Sequence, residues 1–188
     1  MMKIERCPSP DWLETNSQKW GEEYERTRSD NWKSYKVKPV NRHLLPLLRE
    51  MTNNHCSFCD DYPLETSGET IEHFRPKSTF PLLAYQWSNL FYCCNSCQNK
   101  KGDRFREELL KPDEEAYAFE TYFIYDSITG EIKPNPACST QNKERAEITI
   151  ALYGLNKFGR PRFRKKYQQQ FRKTNDPDVQ DFPYRFIY

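Results

Sequence analysis

Long apolar runs are missing from this chain of 188 residues. No stretch approaches the roughly 20 apolar residues that a bilayer-crossing helix needs, and the opening segment MMKIERCPSP has no apolar signal core. A soluble, cytoplasmic protein with no membrane partner is the expectation. Aliphatic residues are also sparse. With 36% hydrophobic and 30% charged residues and a mean hydropathy of -1.00, the core has to lean on the 15% of aromatic side chains. The formal net charge is only +2, which excludes a globally basic nucleic-acid coat but leaves room for a local cationic patch. The length excludes two large domains, and no internal repeat or low-complexity linker divides the chain. Histidine is scarce, three residues in all, so the surroundings of each are informative.

Charge is segregated. The segment from Lys157 to Lys173 carries eight Lys and Arg (Lys157, Arg160, Arg162, Arg164, Lys165, Lys166, Arg172, Lys173) and no acid, whereas Asp113, Glu114, Glu115 and Glu120 cluster upstream. Within the basic segment Phe163, Tyr167 and Phe171 recur every four residues, an apolar stripe suited to packing on the core or a partner, with the cations left for solvent or nucleic acid.

The periodicity predicts an α+β protein in three regions. Residues 1–50 read as helical, with Ser17 as a cap ahead of Trp20 and Tyr24, and a second apolar cluster at Leu44, Leu45, Leu47 and Leu48. Pro46 belongs either in a first turn or at a kink. Residues 51–111 hold short extended pieces, Thr70 to Phe74 and Leu90 to Cys93, followed by QNKKGDRFREELL, which suits a helix apart from Gly102. In residues 112–188, TYFIYD and GEIKP flank a turn at Ser127 to Gly130 and predict a β-hairpin. A helix from Asn142 with a C-cap near Gly154 follows, then a basic helix with Pro161 in its first turn, then a less regular tail.

Seven cysteines in a reducing compartment predict metal binding rather than disulfides, provided the spacing is regular. Cys56 and Cys59 form one C-x-x-C, Cys94 and Cys97 another, and two such knuckles supply the four thiolates of a structural zinc site. Cys93 is the alternative to Cys94 if the register is shifted by one; Cys7 and Cys138 have no partner at that spacing. Residues 60 to 93 separate the knuckles, far beyond the roughly 15–20 of a simple ribbon. The insertion contains TIEHFRPKS, where Glu72 and His73 are adjacent and Arg75 and Lys77 follow. A closed four-thiolate zinc does no chemistry itself, so reactivity must reside in what it clamps. Phosphodiester hydrolysis needs a base for water and a hard cation for charge on phosphate, and a Glu-His pair can divide that work. Neighbours on a strand point to opposite faces, so both serve one site only where the strand twists or ends; Phe74, Arg75 and Pro76 mark such an end. The bland alternative is an exposed pair without function.

The order CSFCD, IEHFRPKS, W-x-NL and C-x-x-C-x-x-x-KGD-x-F resembles the zinc-containing HNH endonucleases of ββα-metal fold. It is most similar to the PtuB-like HNH nucleases of Septu and retron anti-phage defence systems, a likeness that extends to IERCPSPDWL and LYGLN. The resemblance implies a zinc-clamped ββα-metal core in 51–111 surrounded by helices and a hairpin, and hydrolysis of DNA or RNA with Mg²⁺ or Mn²⁺. It also implies a PtuA-like ATPase partner. It makes Glu72 the first ligand of the catalytic ion, His73 the general base and Asn89 the residue that braces the loop and orients the histidine. Gln98 takes the second ligand position, where His or Asn is usual; Asn99 is next to it. Arg75, Lys77 and Lys101 are the expected phosphate contacts. The rival reading is a non-catalytic zinc-ribbon module that binds nucleic acid or protein, which has no need of a base beside a metal ligand.

Overall fold

The computed structural model describes residues 1–29, 31–64 and 68–188. Helix α1 spans Asp11–Thr27 and buries Leu13, Ser17, Trp20, Gly21 and Tyr24 along one face, the spacing of a single amphipathic stripe. The expected start at Ser17 is corrected. Pro10 precedes the helix, Asp11 and Glu14 stand in its first turn where the helix dipole favours them, and Ser17 is buried mid-helix with its hydroxyl donating to the Glu14 carbonyl. Gly21 is required by contact: a Cβ there would stand 2.7 Å from the Leu82 carbonyl oxygen, so α1 presses directly on the turn at Pro81–Leu83.

The two-residue strands β1 (Ser34–Tyr35) and β2 (Lys38–Pro39) pair and lead into α2, Val40–Met51. Pro46 sits inside α2, past the first turn. It removes one helical N–H donor there, and the helix is carried instead by burial of Val40, Leu44 and Leu48.

The centre is an antiparallel hairpin. Strand β3 (Glu69–His73) pairs with β4 (Leu90–Cys94), with Glu69 opposite Cys94 and His73 opposite Leu90. Every residue of β4 is buried, as a strand covered on both faces must be. Helix α3 (Asn95–Lys101) follows β4 without a loop, and packs back on both strands. The expectation that it would run on through RFREELL fails at Gly102, whose φ of 54° and ψ of -138° end the helix in a conformation that L side chains rarely adopt.

Beyond α3, the four-residue α4 (Phe119–Tyr122) feeds a second hairpin, β5 (Phe123–Tyr125) with β6 (Ile132–Pro134). Asp126 organises its turn by accepting from the backbone of Ile128 and Thr129. Helix α5 (Thr140–Tyr153) is capped by Ser139 and ends at Gly154, and α6 (Arg160–Lys173) carries Pro161 in its first turn. Two members of the aromatic stripe of α6 pack on the chain's own tail, Phe171 stacking on Tyr188 and Tyr167 meeting Tyr184 edge-on, while Phe163 stays exposed. That tail returns to the first knuckle, where Arg185 makes charged hydrogen bonds to the buried carboxylate of Asp60.

Candidate active site and metal centre

The knuckles meet where the local geometry forces them together. Residues 56–60 turn tightly, with the Asp60 amide donating to the Cys56 carbonyl, and Ser57 donates to Tyr92 on β4. Cys94 ends β4 and Cys97 lies in the first turn of α3, so both knuckles face one point. The sulfurs of Cys56, Cys59, Cys94 and Cys97 all lie within 4.8 Å of one another and all four residues are buried. Cys94, and not Cys93, completes the set. The Cys59 and Cys94 sulfurs are 3.7 Å apart, which matches the roughly 3.8 Å edge of a tetrahedron whose corners lie about 2.3 Å from a zinc ion. Burial opposes ionisation of Cys56, yet hydrogen bonds from Cys59 and Cys93 hold it well below the usual thiol range. Hydrogen bonding to Cys56 brings Cys94 down to about 4, while burial drives Cys97 well up. A cation at the centre would draw off the remaining protons, so the donor set fits a zinc ion.

The Glu-His pair is at the end of β3. Glu72 is 3% exposed, and its Oε1 accepts from the Lys101 ammonium at 2.6 Å. Lys101 is itself 1% exposed and also donates to the carbonyls of His73 and Gly102. It is therefore turned inward, and its charge answers Glu72 rather than a surface phosphate. Burial raises the Glu72 carboxyl to about 7, with Lys101 pulling against that. Among the described residues Oε2 of Glu72 has no hydrogen-bond partner, and the side chain lines a cleft of about 350 Å³ with His73, Lys77, Gln98 and Asp103.

His73 is half-buried, with Trp32 stacked on its ring at 5.5 Å. Its Nε2 is 2.9 Å from the Ala84 carbonyl oxygen, which can only accept. The proton is thereby fixed on Nε2 and Nδ1 keeps its lone pair. Burial lowers the imidazole to about 4, opposed by the bond to Ala84 and helped by the nearby charges of Lys77 and Lys101, so the ring is neutral at physiological pH.

Asn89 is the brace of this end of the hairpin. Its Oδ1 accepts from the Arg75 amide at 2.8 Å, and its Nδ2 donates to the carbonyls of Arg75 and Leu83. Leu83 precedes the residue that holds His73, so one amide fixes both walls around the imidazole. Gln98 is tied at both ends, accepting from the Thr70 hydroxyl and donating to the Ile71 carbonyl. Arg75 forms a two-pronged ion pair with Glu107 between Phe80 and Phe105. Lys77 lies over the Tyr24 ring and lines the same cleft as His73. Asn99 lines that cleft as well. Sequence reasoning missed three participants: Trp32, the Ala84 carbonyl and Arg160, whose guanidinium reaches the cysteine sulfurs. No local spacing links Trp32 or Ala84 to His73, or Arg160 to the knuckles.

The molecule is thus an α+β protein in which a buried four-cysteine centre sits beside a strand-borne Glu-His pair. The chain is 28% identical over 163 residues to the Septu protein PtuB of Bacillus thuringiensis, an alignment that takes in 85% of this chain and 56% of that protein. It is 39% identical over an aligned 64 residues to the Septu protein PtuB of Bacillus mycoides (strain KBAB4), covering 27% of this chain and 22% of the relative. The chain therefore spans about half, or less, of the length of the curated relatives it matches. No family model matches it. No helix among the described residues is long and apolar enough to cross a membrane.

Proposed function

We propose that this chain is the nuclease component of a Septu-type anti-phage defence system, an HNH-type endonuclease that hydrolyses phosphodiester bonds in DNA or RNA and works with a PtuA-like ATPase. The observation that carries the reading is the imidazole of His73: neutral, held by Ala84 through Nε2, with Nδ1 left as an acceptor at the cleft that Glu72 lines. A base of this kind takes a proton from water as the water oxygen bonds to phosphorus and the bond to the leaving oxygen breaks. Asn89 and Trp32 keep the ring in place. Glu72 Oε2 and the Gln98 carbonyl oxygen are hard donors on one cleft, a set that fits Mg²⁺ or Mn²⁺. Such an ion, when bound, supplies charge stabilisation at the phosphate. Lys101 keeps Glu72 ordered in its absence. The similarity to the two PtuB proteins and the strand–strand–helix order β3-β4-α3 support the same reading.

The test is a nicking assay on plasmid DNA and on total RNA, with Mg²⁺, with Mn²⁺ and with EDTA, each with and without the ATPase. Cleavage that requires the divalent ion is expected. A folded, zinc-loaded protein that cuts neither substrate under any of these conditions would instead support a non-catalytic zinc module.

A further inference from the structure

Arg160 is 3% exposed, and no carboxylate lies within ion-pair distance of it among the described residues. A buried guanidinium without an anion is strongly disfavoured. Its donors show where the compensation lies. Nη1 donates to the carbonyls of Tyr153 and Gly154 at 3.2 and 2.8 Å, which fixes the fork. Nη2 points at sulfur, 3.2 Å from Cys97 and 3.6 Å from Cys94. The contacts need negative sulfur, and a zinc ion held by four thiolates carries a net charge of -2. Other donors to the cluster are few: among the described residues the backbone N–H of Cys94 reaches Cys56 Sγ at 3.4 Å, and the Cys93 thiol also bonds Cys56.

We infer that Arg160 is the internal counter-charge of the four-cysteine metal centre, a positioning residue outside the ligand set through which helix α6 governs how firmly the metal is held. The inference rests on the reading of the four cysteines as a zinc site. It also makes the linkage reciprocal, because the first residue of the basic helix is docked on the charge of the centre. Pro161 sets the first turn of α6, and the Pro161 carbonyl closes against Gly130 of the second hairpin, where a Cβ would stand 2.1 Å away. The guanidinium is thus delivered by two elements that contain no ligand.

Outer partners of metal ligands typically change metal retention by about 10-fold to 100-fold. The test compares the zinc-loaded parent with Arg160→Gln and Arg160→Lys. Zinc release to a chromogenic chelator under a thiol-alkylating reagent is followed, together with the thiolate-to-metal charge-transfer band of each protein after cobalt replacement. Gln is expected to release zinc at least about 10-fold faster and to shift the band to longer wavelength, because uncompensated sulfur gives up electrons more readily. Lys keeps the charge and is expected to stay within about threefold of the parent, well short of the loss that an outer partner's removal brings. Release rates and band positions for Gln equal to the parent's would overturn the inference, as would equal acceleration in Gln and Lys, which would assign the role to shape. Should Gln not fold, Lys decides: retention near the parent rate supports the counter-charge, and failure of Lys overturns it. A parent protein without zinc would instead overturn the metal reading beneath it.

Discussion

Replacing Lys101 with methionine keeps the length and apolar stem of the side chain and deletes its charge. In the parent the ammonium is buried, 2.6 Å from Glu72 Oε1, and shared with two backbone carbonyls. Removing one partner of a buried pair costs about 3–5 kcal/mol, because the remaining charge has no solvent to return to. That is a large share of the roughly 5–15 kcal/mol that holds a domain folded. The sign of the pH effect follows from Glu72. Its folded carboxyl is raised to about 7 from 4.5, so the native state prefers the proton and stability is lost as pH rises through that range. The Lys101→Met penalty is accordingly expected to be larger at about pH 8.5 than at about pH 6, where Glu72 already carries its proton. Urea unfolding of the zinc-loaded proteins measures both. Glu72→Gln in the same chain removes the stranded charge and is expected to recover about half the loss or more. A loss below about 1 kcal/mol at the higher pH, or no recovery in the double variant, would refute the buried-pair reasoning.

Asn89→Ala leaves the Arg75 amide and carbonyl unpaired and takes from the Leu83 carbonyl one of its two donors, the other being the Gln86 amide; a loss of about 2–4 kcal/mol is expected in urea unfolding, with cleavage falling further than stability because the Ala84 wall behind His73 loosens. His73 titrates at about 4 when folded and near 6.5 when unfolded, so its contribution to stability is present at neutral pH and lost as pH falls through that window. Between about pH 7 and 5 the parent is expected to lose about 1–2 kcal/mol more than His73→Ala, a figure reduced for the partial exposure of the ring; equal losses would count against a depressed imidazole. Neutralising Arg75 and Lys77 together is expected to flatten the dependence of nucleic-acid binding on salt by about one unit of slope per lost phosphate contact, and Glu107→Ala, which releases Arg75 from its ion pair, to strengthen binding.

The elements that could be read from the sequence are those with local causes. Two x2 spacings brought the knuckles together, Gly154 and Pro161 marked the helix ends, and the turn at Ser127 to Gly130 marked the second hairpin. Where tertiary contact decides, local signals misled. Ser17 looks like a cap, but the helix begins at Asp11 and buries Ser17 against the Gln86 amide. Lys101 belongs to a cationic run, yet the turn of α3 carries it beneath β3 to Glu72. The two-pronged pair of Arg75 with Glu107, 32 residues further along, has no local signal either. Arg160 was indistinguishable from its basic neighbours because its partners come from two other elements.

The most direct test of a nucleolytic Glu-His site compares the parent with His73→Ala, both purified with zinc and both shown to be folded, on whichever nucleic acid the parent cuts. The imidazole touches no ligand of the cysteine centre, so zinc content is expected to be unchanged. Cleavage is expected to fall by about 100-fold to 10,000-fold, the usual contribution of a general base. A zinc-loaded His73→Ala protein that cuts as fast as the parent would contradict the assignment.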